Sequence, residues 1–200
     1  MQAALIIFVK NPIPGKTKTR LAEDVGNDAA LAMYGQLMDH TRRQALKLTG
    51  IERLLYYSDF IPDHDMWSMG GFERRVQSGE DLGQRMLSAF EEVFKEGAER
   101  VVIIGSDCPG VDSDLLVEAF AHLKDNDLVL GPALDGGYYL LGMKQPQPTL
   151  FQDMNWSTET VAKETRKRAK NEGLSLFKLP TLSDVDYLED WLNYGWDLPG

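Results

Sequence analysis

The chain has 200 residues, of which 43% are hydrophobic and 26% are charged, and its formal net charge is −10 at pH 7. This length suits one α/β domain with a substantial core. Such an acidic chain lacks the broad basic face that nucleic-acid binding needs, so we do not expect a nucleic-acid partner. It contains no run of 18 apolar residues, and no membrane-spanning helix is expected.

Cysteine usage favours a cytoplasmic protein. The single cysteine, Cys108, permits no disulfide within the chain and fits a reducing compartment. The first residues do not have the pattern of a signal peptide, which would be a charged segment, an apolar core and a cleavage site. The three histidines are scattered, and none is spaced with the cysteine as zinc ligands are.

Strand-like runs alternate with helical patterns along the chain, which is typical of a mostly parallel α/β sheet. The predicted strands are Ala3–Val9, Arg53–Ser58, Arg74–Gln77, Val101–Gly105, Asp127–Gly131, Tyr138–Met143 and Leu174–Leu179. Apolar residues three or four positions apart predict helices over Asp28–Thr49, Leu82–Glu96, Asp112–Leu123, Ser157–Glu172 and Tyr187–Tyr194. Neither a repeat nor a linker interrupts the series, so residues 1–200 are predicted to form one domain.

The first predicted strand runs directly into a loop with four cationic side chains, Lys10, Lys16, Lys18 and Arg20. Ligands of open α/β sheets bind at the carboxyl ends of the strands. A local basic cluster in an acidic chain indicates a bound anion, and phosphate is the commonest one. The alternative is a basic loop that is simply solvated.

This loop is not a P-loop. Gly15-Lys16-Thr17 resembles the end of a Walker A motif, but position 10 is lysine where that motif requires glycine. Pro12 and Pro14 supply no backbone N–H, so side-chain charge must contribute more to phosphate binding than it does in a P-loop.

A polar loop follows the third predicted strand and leads into a helix. In this loop Gln77 is a candidate for contacts with a base or sugar edge, and Arg85 is a candidate for contacts with a phosphate. The alternative is an ordinary polar loop in which Asp81 lies near a helix N-terminus.

Asp107 follows the central predicted strand, Val101–Gly105, and is expected at the same sheet edge as the basic loop. A divalent metal bound with a nucleotide diphosphate takes one or two carboxylates as ligands, together with phosphate oxygens and water. The alternative is that Asp107 caps the helix that follows. Cys108 has no histidine near it in sequence, so we interpret it as a small, partly buried side chain rather than a nucleophile.

Two further segments carry acidic residues in distinctive patterns. Asp135-Gly136-Gly137 either lets the backbone approach a ligand closely or forms a hairpin turn. Alternation along an extended segment places Asp184 and Asp186 on one side. They either share a cation, or Asp186 caps the last helix.

Taken in order, five motifs resemble the radical-SAM/selenodomain-associated transferases, which are glycosyltransferase-like proteins of the GT-A fold. They are also similar to the guanylyltransferases of molybdenum-cofactor and phospholactate metabolism. The resemblance runs from Ala3 to about Trp191. The motifs that carry it are Phe8-Val9-Lys10-Asn11-Pro12 with Pro14-Gly15-Lys16 and Lys18-Thr19-Arg20-Leu21, then Gly105-Ser106-Asp107-Cys108-Pro109, Asp135-Gly136-Gly137-Tyr138-Tyr139, Trp156-Ser157-Thr158 and Asp184-Val185-Asp186.

The resemblance implies a three-layer α/β/α nucleotide-diphospho-sugar transferase fold. Lys10, Lys18 and Arg20 would then bind phosphates, and Asp107 and Asp186 would hold Mg²⁺ or Mn²⁺. The residues expected to border the sugar or acceptor pocket are Asp135, Gly136, Gly137 and Trp156, with Asp135 as the candidate general base.

The leading functional hypothesis is a metal-dependent transferase that uses a nucleotide-sugar donor, that is, a glycosyltransferase. The alternative enzyme is a nucleotidyltransferase that uses a nucleoside triphosphate and releases pyrophosphate. A third hypothesis is a non-catalytic nucleotide-binding module. The sequence does not indicate the nucleobase, the sugar, the small-molecule acceptor or the oligomeric state.

Overall fold

The computed structural model describes residues 2–198, so Met1, Pro199 and Gly200 at the ends of the predicted domain lie outside the described residues. The strands are β1 (Ala3–Val9), β2 (Glu52–Tyr57), β3 (Phe72–Val76), β4 (Arg100–Ile104), β5 (Leu128–Pro132), β6 (Tyr138–Met143) and β7 (Leu176–Lys178). The α-helices are α1 (Thr19–Val25), α2 (Asn27–Leu46), α3 (Leu82–Lys95), α4 (Ser113–His122), α5 (Val161–Asn171) and α6 (Leu188–Asn193).

These strands form a single seven-stranded sheet in the order β3-β2-β1-β4-β6-β5-β7. Neighbouring strands are parallel except at β6, which runs antiparallel to both β4 and β5. The predicted class, α/β with a mostly parallel sheet, is confirmed. The carboxyl ends of β1 to β4 therefore meet at one edge, which is where the predicted phosphate and metal residues lie.

Alternation along β1 explains why helices cover both faces of the sheet. Leu5 and Ile7 pack into a core shared with α2, α4 and α6, whereas Ala4 and Ile6 pack into a second core shared with α3 and α5. Consecutive residues of a strand point to opposite faces, so a continuous apolar run needs a cover on each side. The result is three layers with β1 in the interior of the sheet.

Strand positions agree with the sequence predictions within two residues, but the start of one predicted helix is wrong and one helix was missed. The helix predicted to begin at Ser157 begins at Val161, and Ser157 has a φ of 61°, outside the helical region. Helix α1 was not predicted. Leu21 is its only buried residue, so it has no apolar repeat for a pattern search to find.

The structure contains, within residues 2–198, no helix that is both long enough and apolar enough to cross a membrane.

Candidate functional site

A cavity of about 690 Å³ opens at the carboxyl edge of the sheet, beyond the ends of β1, β3 and β4. Its walls come from segments that follow these strands, together with the start of α3 and the segment before α6. Seven of the predicted site residues line it: Lys10, Lys18, Arg20, Gln77, Arg85, Asp107 and Asp186. The fold thus brings together residues that are up to 176 positions apart in the sequence.

Four other predicted site residues do not line this cavity. Asp135, Gly136 and Gly137 form the turn between β5 and β6, where Asp135 Oδ1 accepts a hydrogen bond from Gly137 N at 2.8 Å. Trp156 packs against Gly83 of α3 and edge-on to Tyr138. A hairpin turn and core packing account for these positions, and their contact with a substrate remains a prediction.

The centre of the site is a set of three oxygens around the ammonium of Lys18, which we call the oxygen cage. Lys18 Nζ lies 3.0 Å from Asp107 Oδ2, 3.3 Å from Asp186 Oδ1 and 2.5 Å from the carbonyl oxygen of Val185. The Lys18 side chain is only 6% exposed, whereas the two aspartates are 37% and 39% exposed. The carboxylates thus face the cavity, and the ammonium lies behind them.

Local backbone contacts hold the two aspartates in this arrangement. Val185 N donates to the carbonyl oxygen of Asp107 at 2.9 Å, which joins the segment before α6 to the end of β4. The side chain of Asp112 caps α4, and the side chain of Asp190 accepts hydrogen bonds from the backbone amides just before α6. Neither Asp107 nor Asp186 therefore serves as a helix cap. Both capping alternatives are therefore wrong, and both carboxylates remain available to cations.

Lys18 offsets part of the negative charge in the cage. Burial alone would lower the pKa of Lys18, but the negative charges of Asp107 and Asp186 outweigh it and raise this pKa above its ordinary value. Asp184 is different, because its Oδ1 is buried without a hydrogen-bond partner among the described residues. Burial, and then the charges of Asp107 and Asp135, raise the pKa of Asp184 well above the ordinary range. The acidic side chains of this region thus outnumber the cationic side chains that are available to neutralise them.

The cavity cations fall into two groups. Lys18 and Arg20 pair with carboxylates, and the Arg20 guanidinium reaches Asp186 Oδ2 at 3.2 Å. Among the described residues no carboxylate pairs with Lys10, Lys16 or Arg85, although Arg85 Nε donates to the Gly79 carbonyl at 3.1 Å. These three cations are free to meet an anion. Lys16 was not among the predicted site residues, although the cationic cluster in the sequence included it.

Tyr34 lies in the core on α2, yet its hydroxyl joins two loops of the site. It accepts from Lys10 N at 2.9 Å and lies 2.9 Å from Ser106 Oγ, next to Asp107. The spacing of α2 correctly indicated a buried side chain, and Tyr34 is 2% exposed. A sequence pattern can indicate that a tyrosine is buried, but not which polar groups its hydroxyl contacts. The link between these two loops was therefore not predictable from the sequence.

Hydrogen bonds of Asn11 connect the basic loop to the loop after β2. It is 2% exposed, and its Oδ1 accepts from the amides of Asp59 at 3.0 Å and Phe60 at 3.3 Å. Its Nδ2 donates to the Phe60 carbonyl at 2.9 Å. All these bonds cross 48 or 49 positions of sequence, so one buried side chain determines how two cavity loops meet.

We expect Asn11→Ala to lower the free energy of unfolding by about 2–3 kcal/mol, because the backbone groups of Asp59 and Phe60 lose the buried side chain that holds them. Urea denaturation measures this loss. Asn171→Ala, at an exposed position that ends α5, is the matched control and is expected to change stability by less than about 0.5 kcal/mol. Equal stabilities of the two variants would contradict the role given to Asn11.

Cys108 is buried at 4% exposure, and its Sγ donates to the Ser183 carbonyl at 3.4 Å. Burial, and then the charge of Asp184, raise the pKa of this thiol far above its ordinary value. A thiol that stays protonated is a poor nucleophile, so the interpretation of Cys108 as a small buried side chain is confirmed.

The oxygens of the cage are chemically suited to Mg²⁺ or Mn²⁺. Two carboxylates and a carbonyl already converge on one cation. Within residues 2–198, no cluster of three or more His, Cys, Asp or Glu side chains is arranged to hold a metal. Phosphate oxygens and water would therefore have to complete the coordination of a metal bound by Asp107 and Asp186.

Similar solved structures share this architecture. A crystal structure from Desulfovibrio desulfuricans G20, provisionally described as a nucleotide-diphospho-sugar transferase, is 34% identical with a TM-score of 0.87. The match covers 94% of this chain and 84% of that one. The chain is also similar to the inositol-1-phosphate CTP transferase of T. maritima, at 14% identity, 94% and 91% coverage and a TM-score of 0.61. At that identity the likeness establishes the fold alone.

The Rv0371c protein of Mycobacterium tuberculosis H37Rv in complex with manganese also has this fold, with 14% identity, 96% and 97% coverage and a TM-score of 0.55. A search of the curated proteins found no match. Residues 41–158 match the family model described as "Uncharacterized protein conserved in bacteria (DUF2064)". This span is more than half of the chain, and it includes Asp107 and the β5–β6 turn. The chain therefore belongs to the DUF2064 family and has the nucleotide-diphospho-sugar transferase fold.

Proposed function

We propose that this protein is a Mg²⁺- or Mn²⁺-dependent transferase whose donor is a nucleotide-diphospho-sugar, and that it acts as a glycosyltransferase. The observation that carries the proposal is that one cavity holds two partly exposed carboxylates together with three cations that have no carboxylate partner within residues 2–198. The similarity to the Desulfovibrio protein and the motif resemblance to the radical-SAM/selenodomain-associated transferases support the choice of donor.

In this proposal, the diphosphate is bound mainly by the three cations that pair with no carboxylate among the described residues. Lys10, Lys16 and Arg85 line the cavity from two sides and provide charged hydrogen-bond donors for phosphate oxygens. Arg20 is 62% exposed and is able to add a further contact. Positive charge held in place here stabilises the negative charge that grows on the leaving nucleotide.

In the same proposal, Asp107 and Asp186 hold the divalent cation. When bound, such an ion neutralises the diphosphate and makes it a better leaving group. The chain keeps the two carboxylates facing the cavity through the contact between Val185 and Asp107 and the amide contacts of Asp190. Gln77 is proposed to contact the base or sugar. Its Nε2 donates to the Tyr56 carbonyl at 3.1 Å, which leaves Oε1 as the acceptor for a ligand.

Asp135 is proposed as the general base, with Gly136, Gly137 and Trp156 bordering the acceptor. The acceptor would then extend from the cavity towards the β5–β6 turn. Asp135→Asn is expected to lower kcat by about a hundredfold while the nucleotide dissociation constant changes by less than about threefold. Steady-state kinetics and direct nucleotide titration give the two values, and equal losses in both would refute the role of a base.

A second candidate is nucleotidyl transfer. Several fold neighbours carry names that include CTP or cytidylyl transfer, and one of them was solved with CTP bound. In that reaction an acceptor phosphate attacks the α-phosphorus of a nucleoside triphosphate and pyrophosphate leaves. The same cations and carboxylates would serve both reactions, because both place a nucleotide polyphosphate at the carboxyl edge of the sheet.

Product identity decides between these candidates. The protein would be incubated with Mn²⁺ and pools of nucleotide-sugars or nucleoside triphosphates, together with candidate small-molecule acceptors. Release of a nucleoside diphosphate supports glycosyl transfer, whereas release of pyrophosphate supports nucleotidyl transfer. Binding without either product would support the non-catalytic module. We further propose that residues 1–200 form one domain and that the protein works in a reducing cytoplasm, as its single cysteine suggests.

A further inference from the structure

The ammonium of Lys18 has no proton left for a ligand. An ammonium carries three N–H donors, and the three oxygens of the cage accept one each. The side chain is 6% exposed, so solvent and ligands scarcely reach it. In this arrangement Lys18 cannot bind a nucleotide phosphate, which is the role that its position in the basic loop predicts.

Lys18 also occupies the place of the proposed metal. The ammonium and a divalent cation need the same oxygens of Asp107 and Asp186, and two cations a few ångströms apart repel each other strongly. Arg20 is no obstacle, because it pairs with the other oxygen of Asp186, Oδ2. The conflict is therefore confined to Lys18.

The backbone at Lys18 is unusual. Lys18 has φ 52° and ψ 45°, the left-handed conformation, at the residue immediately before α1, where no side chain caps the helix. Non-glycine residues in this region store conformational strain, and such residues concentrate at functional sites. In this conformation the Lys18 side chain reaches Asp107 and Asp186.

We propose that Lys18 is an exchangeable internal cation. It neutralises Asp107 and Asp186 in the metal-free protein, leaves the cage when a divalent cation takes these oxygens, and then donates to a nucleotide phosphate in the cavity. This inference rests on the proposed function and adds that the metal and the nucleotide phosphate bind cooperatively. Metal binding frees the phosphate donor and phosphate binding retains it outside the cage, so each ligand strengthens the other.

The first test measures Mn²⁺ binding to the nucleotide-free protein by electron paramagnetic resonance. Lys18→Met removes the competing ammonium, so Mn²⁺ affinity is expected to rise by about tenfold or more. Lys16→Met removes a cation that lines the same cavity without touching the cage, and its Mn²⁺ affinity is expected to change by less than about threefold. A lysine that only bound phosphate would leave Mn²⁺ affinity at the level of the Lys16 variant.

A second measurement uses the unaltered protein and does not depend on the folding of a variant. Amine acylation is followed by mass spectrometry of the peptides, with Lys10 and Lys16 as exposed references. Lys18 is expected to react slowly without metal and at least about fivefold faster once Mn²⁺ is bound, because its side chain moves from a buried ion pair into the cavity, where the reagent reaches it. Unchanged labelling of Lys18 with Mn²⁺ bound would overturn the exchange.

The outcomes separate this inference from the proposed function. Mn²⁺ binding with equal affinity to the Lys18→Met, Lys16→Met and unaltered proteins would overturn the exchange and leave the metal site standing. An absence of Mn²⁺ binding to all three, with or without nucleotide, would overturn the metal-dependent function itself. Stronger Mn²⁺ binding in Lys18→Met, together with weaker nucleotide binding in the presence of Mn²⁺, supports both.

Discussion

Replacing Asp107 with asparagine is expected to reduce kcat/KM by about a hundredfold or more, since the change removes one of the two proposed metal ligands. Asparagine keeps the shape of the side chain but loses the charge that pairs with Lys18 at 3.0 Å. The effect falls on a partly exposed side chain that caps no helix, so the fold is expected to survive. Steady-state kinetics, on the donor identified by product analysis, measure the loss.

The matched control is Asp114→Asn. Asp114 is an exposed acid in the first turn of α4, seven positions from Asp107 and outside the cavity walls. We expect its kcat/KM to stay within about threefold of the unaltered value. Full activity of Asp107→Asn at saturating Mn²⁺ would contradict the assignment, as would equal losses in the two variants.

The largest expected loss of stability comes from Gly136→Ala. A Cβ on Gly136 would lie 2.0 Å from the carbonyl oxygen of Glu159, and the residue has a φ of 91° that side chains rarely adopt. The Gly136 carbonyl also accepts from Ala162 N at 2.9 Å, at the start of α5. Relieving the overlap means separating the turn from α5, so we expect the free energy of unfolding to fall by about 3 kcal/mol or more.

Urea denaturation measures this loss, and Gly35→Ala provides the control. Gly35 lies within α2, where an added Cβ meets no atom within 4 Å, and alanine is expected to stabilise the helix by about 0.5–1 kcal/mol. The two glycine substitutions should thus shift the midpoint in opposite directions. A Gly136→Ala protein as stable as the parent would refute the close packing of the turn.

Gly136 also shows that a glycine in a motif can have a structural reason that the sequence does not reveal. In the sequence, Asp135-Gly136-Gly137 was compatible both with a close approach to a ligand and with a hairpin turn. The structure explains Gly136 by the backbone of Glu159, which approaches from a segment 23 positions away. The sequence cannot show such an approach, because it depends on where α5 packs.

Most of the sheet was predictable because its strands carry strong local signals. The apolar run of β1 is buried on both faces, and its predicted bounds match the structure. Helix α1 and the start of α5 lacked such signals, since α1 buries one residue and Thr160 precedes α5 without a side-chain cap. Weakly amphipathic or uncapped segments are ordered by tertiary contacts, which pattern analysis does not include.

The sequence predicted which of these residues lie close together in the site, but it did not predict which of them form ion pairs. Strand ends in a parallel sheet share an edge, so Lys10 and Asp107 were expected together, and both line the cavity. The partners of Lys18 lie 89 and 168 positions away, and no spacing rule links them. The sequence therefore indicated a phosphate ligand at Lys18, where the structure has an ion-paired ammonium.

The most direct test of the central claim is a thermal unfolding screen with nucleoside triphosphates and nucleotide-sugars, with and without Mn²⁺. A ligand at 100 times its dissociation constant adds about 2.7 kcal/mol, which is a shift of several degrees for a chain of this size. We predict a Mn²⁺-dependent shift with a nucleotide-sugar that is lost in Asp107→Asn. The absence of a shift with every nucleotide, with or without Mn²⁺, would contradict a nucleotide-dependent transferase.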